Sequence, residues 1–299
     1  MPAINAEHRI TDGSSARPHL RQRQDRWTAL SFDIPRRTAR TIFICLFLIL
    51  MAAGLAKLGS SDATIAEPQT ASVSRPLFVD TKCADLVVLG LRGAGQSPTK
   101  NAGVGAEVLK SVKNMVTRLH RGSTTTVRLE AVTFQARSAV NLGIYVAGVR
   151  DGQRRLGSQY ANVSKSCKDS KFALIGFSQG AQVVHEFSFN LPAPRARNLV
   201  LIAMIADPRK NPGDSIPAWS YAAKPTTSQG KLGAAPRFAA GLRHVAISFC
   251  VEADEVCNRP RAGGLENMSS THRKFYEQAS TVGSTGERLN AVLRRNGVG

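Results

Sequence analysis

Gly176-Phe177-Ser178-Gln179-Gly180 places a serine between two glycines in a G-x-S-x-G pentapeptide. The apolar run Phe172-Ala173-Leu174-Ile175 precedes it, and Ala181, Val184 and Phe187 follow at the spacing of one helix face. A strand that turns this sharply into a helix forms a nucleophile elbow, which lifts the serine hydroxyl above a sheet. Glycine is needed on both sides because neighbouring backbone comes close and the central residue is strained. The chemistry such a serine performs is acyl transfer, with the Gln179 amide placed to meet an oxyanion.

A serine alkoxide does not exist at neutral pH, so Ser178 requires a histidine base, and that histidine requires a carboxylate to orient it. In elbow-type sheets the chain order is serine, acid, histidine. His8 and His19 lie far upstream, His120 precedes the elbow, and His185 sits seven residues past the serine on its helix, as a structural or exposed residue. His244 opens a strand and so falls at the wrong edge of the sheet. His272 follows that strand and is the base the order selects. Asp254, between Cys250 and Cys257 just past the same strand, is the preferred acid, with Asp207 as competitor. A second oxyanion donor should come from Arg92-Gly93-Ala94-Gly95-Gln96 after the first strand, where Ala94 carries the candidate amide. This chemistry calls for no metal and no organic cofactor.

The elements that must position these groups alternate strand and helix. Asp85–Leu91, Thr125–Phe134, Phe172–Ile175, Leu199–Ile205 and His244–Phe249 read as five strands. Helical spacing runs over Val104–Leu119, Val140–Val163, His272–Ala279 and Glu287–Arg295, and residues 208–242 read as a long irregular excursion. Continuous apolar strands joined by helices predict an open, mostly parallel five-stranded sheet covered on both faces.

The 299 residues carry a formal charge of +19. Residues 1–57 hold nine Lys/Arg against four Asp/Glu, which leaves about +14 on the remainder. Such a surface suits anionic membranes or an acidic envelope, and with 6% aromatic residues and no binding motif it does not suggest nucleic acid. Residues 1–40 are polar and arginine-rich, 41–57 read as a hydrophobic signal or membrane anchor, and 58–76 read as a linker. The domain is expected over 77–299, secreted or held at the outer face of the cytoplasmic membrane. Cys83, Cys167, Cys250 and Cys257 allow three pairings; a small Cys250–Cys257 loop would leave Cys83 for Cys167. None of the spacings is that of a zinc site.

Cys83-Ala84-Asp85, Arg92-Gly93, Cys167, Gly176-Phe177-Ser178-Gln179-Gly180-Ala181, Cys250-Val251-Glu252-Ala253-Asp254-Glu255-Val256-Cys257 and His272 together resemble the cutinase family of serine esterases. The resemblance runs from about Cys83 to Tyr276 and suggests its actinobacterial type. It implies a compact α/β-hydrolase three-layer sandwich, a Ser178–Asp254–His272 triad, disulfides Cys83–Cys167 and Cys250–Cys257, and lipid-like or polyester substrates. Two departures stand out. The family usually has Ser or Thr where this chain has Ala94, and the interval from Asp254 to His272 is longer than usual. Since one oxyanion donor is worth about 3–4 kcal/mol, Ala94 implies slower turnover or altered substrate preference. A carbohydrate deacetylase would share triad and fold, but only Trp27 and Trp219 could stack on sugars. An envelope-binding protein with decayed catalysis is the remaining alternative.

Overall fold

The computed structural model describes residues 75–137, 141–259 and 269–299. The basic segment 1–40, the hydrophobic segment 41–57 and most of the linker 58–76 therefore lie outside the described residues. Within those described, no helix is long and apolar enough to cross a membrane.

Strands β1 (Leu86–Leu91), β2 (Val127–Ala131), β3 (Lys171–Phe177), β4 (Leu199–Ile205), β5 (Ala218–Trp219) and β6 (Ala246–Phe249) form one sheet in the order β2-β1-β3-β4-β6-β5. Every pairing is parallel. Leu86 is in register with Val127 on one side and Lys171 on the other, so β1 lies between β2 and β3, and β3 and β4 occupy the middle. All residues of β1 and β4 are buried, as the unbroken apolar runs require of central strands covered on two faces.

The two faces take alternate residues. Leu86, Val88, Ala173, Ile175 and Ile205 pack with Val108, Val112, Met115 and Leu119 of α1 (Ala106–Leu119) and with Leu289 and Leu293 of α6 (Ala279–Arg295). Val87, Leu89, Phe172, Leu174 and Met204 pack instead with Tyr145, Val149 and Leu156 of α2 (Leu142–Ser166) and with Val183 and Val184 of α3 (Gln179–Ser188). The three-layer α/β sandwich thus follows from period-two strands and period-3.6 helices. Short helices α4 (Ala193–Ala196) and α5 (Ser270–Lys274) complete it.

The sheet has six strands where five were expected. The extra strand, β5, lies within the irregular excursion, where two residues after Pro217 carry no periodic signal. Segment 208–242 is pinned by backbone bonds such as Gly230 N to Lys210 O, 2.9 Å, and Lys231 N to Val256 O, 2.8 Å. The last helix begins at Ala279, eight residues before the expected Glu287, because Ser, Thr and Gly dilute its first half. The expected helix His272–Ala279 breaks into α5, a 3₁₀ turn at Phe275–Glu277, and the start of α6. Cys83 is bonded to Cys167, and Cys250 to Cys257. The first ties the entry to β1 to the end of α2, and the second closes the loop after β6.

Candidate active site

Ser178 occupies the turn between β3 and α3 with φ 53° and ψ −117°. That region is strained for any residue with a side chain and is found where surrounding structure enforces it. The enforcement is visible. A Cβ on Gly176 would lie 2.2 Å from the Gly180 carbonyl oxygen, and one on Gly180 would lie 2.4 Å from that of Leu91. The Ser178 amide donates to Ile205 O of β4 at 2.9 Å, which fixes the turn to the neighbouring strand.

The side chains of Ser178, His272 and Asp254 form a continuous hydrogen-bonded chain. His272 Nε2 lies 2.9 Å from Ser178 Oγ, and its Nδ1 lies 3.1 and 3.0 Å from the two Asp254 oxygens. The three are 5%, 3% and 0% exposed, so the chain is shielded from bulk water. Asp254 Oδ1 also accepts from the Val256 amide at 2.9 Å, within the loop that the Cys250–Cys257 bond closes. His272 enters from α5, whose first turn is capped by Ser269 accepting from the His272 amide.

Two residues that the sequence reading did not single out complete this arrangement. Tyr276 donates its hydroxyl to Asp254 Oδ2 at 2.8 Å and accepts from the Val251 amide at 3.1 Å. Burial, reinforced by the Asp254 charge, pushes the Tyr276 hydroxyl well above its ordinary pKa, so it stays a donor. Phe177 stacks on the His272 ring at 5.1 Å between centroids. Tyr276 follows His272 by four residues, a helical spacing that could have drawn attention to it.

The loop after β1 runs against Ser178: a Cβ on Gly93 would lie 3.3 Å from Ser178 Cβ. Gln96 holds the loop, accepting from the Gly93 amide at 2.7 Å and donating to Glu107 Oε2 at 2.7 Å. Burial raises the pKa of Glu107. Arg92, itself buried, donates to Gln96 O at 3.1 Å and lies over the Phe134 ring. Gly95 donates to Ala136 O at 3.0 Å. Among the described residues the Ala94 and Gln179 amides have no intramolecular acceptor, so both are available to a ligand.

Asp207, the competing acid, is engaged elsewhere. It lies 2.6 Å from His185 Nδ1 and accepts from the Arg209 amide at 2.8 Å. Both His185 and Asp207 are buried, and His185 stacks on Phe238 at 5.0 Å. Burial opposes the charged imidazole, but the Asp207 carboxylate outweighs it and raises the pKa of His185.

The cutinase family profile matches residues 82–285. The chain belongs to the cutinase family. It is accordingly a carboxylic ester hydrolase with the α/β-hydrolase fold of that family. Its relatives include the cutinase CUT1 of Coprinopsis cinerea, 30% identical over 160 residues that cover 54% of this chain and 72% of that one. The cutinase of Monilinia fructicola is 26% identical over 137 residues, covering 46% and 63%. In fold it resembles a cutinase-like protein from Cryptococcus sp., with TM-score 0.55, 14% identity and coverage of 71% and 97%. The catalytic core of the Trichoderma reesei acetyl xylan esterase superposes with TM-score 0.52 at 19% identity, covering 72% and 99%. The two disulfides fit an extracellular protein.

Proposed function

We propose that this cutinase-family esterase hydrolyses lipid-like or polyester carboxylic esters through a Ser178–His272–Asp254 triad and an acyl-enzyme. The observation that carries the reading is the buried hydrogen-bonded chain from Ser178 Oγ through His272 to Asp254. Ser178 Oγ attacks the ester carbonyl while His272 Nε2 takes its proton, and the Asp254 carboxylate stabilises the imidazolium. The Ala94 and Gln179 amides receive the oxyanion. His272 then protonates the departing alcohol, and a water deprotonated by the same nitrogen releases the acid and regenerates the serine.

An apolar acyl group is favoured by the surroundings. Leu142 and Ile144 are 54% and 50% exposed at the start of α2. That turn lies beside the elbow, since Gln179 Nε2 donates to Tyr145 O at 3.0 Å. Large exposed aliphatics beside a nucleophile suit a lipid chain or an interface. A carbohydrate acetyl ester is the second reading, raised by the likeness to an acetyl xylan esterase. Against it, the Arg288 guanidinium lies 3.8 Å over the Trp219 ring, a face a sugar would need. Export to the cell envelope, with an anionic membrane or wall surface as partner, fits the charge of +19 and the hydrophobic segment 41–57.

The test is hydrolysis of p-nitrophenyl esters from acetate to palmitate by the protein and by Ser178→Ala. Activity rising at butyrate or longer and abolished in the variant is expected. Activity on acetate alone selects the deacetylase, and turnover that survives in the variant refutes the triad.

A further inference from the structure

Because every strand is parallel, all segments that enter the sheet lie on one edge, opposite the edge that carries Ser178. β3 spans seven residues, so the two edges are about 20 Å apart. On the entry edge the end of α2, the turn before β3 and helix α4 enclose a cleft of about 270 Å³. Its lining includes Lys165, Lys168, Arg195 and Arg197, with Ser164 and Asn198 between them, and no carboxylate. The four cations are exposed, and none makes an ion pair among the described residues. The frame that holds them is fixed. The Tyr160 hydroxyl donates to Arg195 O, and Asn198 Nδ2 donates to Lys168 O at 2.7 Å.

A cation at a helix C-terminus is favourable in any fold. That accounts for Lys165, but not for Lys168 in the following turn or for two arginines within three residues. The same edge also carries Lys82, Arg121, Lys171, Arg243, Arg294 and Arg295, against Asp80, Asp85 and Asp169. The chain enters there as well: the Arg75 guanidinium donates to Ser123 O, just before β2, at 3.0 Å. The sequence leading into that edge contains the apolar run 41–56 with arginines before it. Four unpaired cations around a pocket sized for a headgroup, on the edge where that sequence arrives, are complementary to a phosphate-bearing surface.

We propose that this cleft docks the phosphate headgroups of an anionic membrane, seating the entry edge on the bilayer and turning the serine site away from it. The proposal gives a site to the anionic-surface partner named above and does not depend on the ester chemistry. Each cation close to an anionic bilayer is worth roughly a fivefold change in affinity, so four bind nearly three orders of magnitude more tightly than none.

The full chain is reconstituted with vesicles of phosphatidylcholine alone or mixed with phosphatidylglycerol, then acetylated with a membrane-impermeant amine reagent and mapped by mass spectrometry. Lys165 and Lys168 are expected to react about tenfold more slowly on the anionic vesicles only, with Lys113 and Lys224 unaffected. The double variant R195Q/R197Q should restore their reactivity while leaving hydrolysis of a soluble ester unchanged. Equal reactivity on both vesicle types overturns the proposal. So does equal protection by inorganic phosphate without vesicles, which would make the cleft a small-anion site. Absence of esterase activity alongside intact protection would count against the triad and leave the docking site standing.

Discussion

Replacing Tyr276 by Phe removes one oxygen and leaves the packed ring in place. In the native arrangement that oxygen donates to Asp254 at 2.8 Å and accepts from the Val251 amide at 3.1 Å. A hydrogen bond to a charged group contributes about 1.5–3 kcal/mol, and a buried amide left without an acceptor costs about 1–3 kcal/mol. The variant should therefore be about 3 kcal/mol less stable in denaturant unfolding. Catalysis should suffer less, because Asp254 keeps the Val256 amide and His272. A looser carboxylate that gives up about 1 kcal/mol of imidazolium stabilisation lowers kcat roughly fivefold. KM should stay within about twofold, since Tyr276 is fully buried behind the acid and does not reach a substrate. Steady-state kinetics on p-nitrophenyl butyrate, with circular dichroism to establish folding, separates the two effects. An unchanged kcat in a destabilised variant would refute the view that Tyr276 positions the acid, and a loss carried entirely in KM would place it in substrate binding.

Ala94→Ser should raise kcat about tenfold, less than the ~3–4 kcal/mol of a full oxyanion donor, because the proposed oxyanion site already has two backbone amides; an unchanged kcat would show that no hydroxyl can act there. Gly176→Ala should cost about 3 kcal/mol or more and yield little folded protein, since the 2.2 Å approach is to backbone oxygen that cannot rotate away. Because folding raises the pKa of His185, its pair with Asp207 stabilises fully below the unfolded value of about 6.5 and less as pH climbs through the folded value. Urea midpoints of the wild type should therefore fall as pH rises from about 6, with a shallower slope in His185→Gln. Removing the Cys250–Cys257 bond by paired serine substitutions should cost about 2.5 kcal/mol from loop entropy and also lower kcat, by loosening the loop that carries Asp254; retention of full kcat would show that the loop holds its shape unaided.

What the sequence made legible followed from strong local constraints. Two glycines around Ser178 mark a turn that only glycine permits, and the apolar runs of β1, β3 and β4 have no other use than a doubly covered sheet. Asp254 and His272 could be selected by chain order and by their place after the last long strand. Elements with weak local signal escaped. β5 is two residues long and owes its existence to pairing with Ser248 and Phe249 across the sheet. The first half of α6 is held by packing against α1, not by helix propensity. Gln96 and Tyr276 act through hydrogen bonds to groups 11 and 22 residues away in sequence, and no periodicity encodes those.

The Cys83–Cys167 bond sits three residues before β1 and four before β3, two neighbouring strands in the interior of the sheet. Parallel neighbours so far apart in sequence are slow to find each other, because the intervening chain must be closed before any strand contact rewards it. Once oxidised, the chain holds the starting points of both strands together even when unfolded. The search for the sheet's first pair then shrinks from an encounter across 84 residues to the zipping of two adjacent ends. An oxidised chain should thus refold from denaturant faster than a reduced one, with the gain appearing in the folding limb of the chevron.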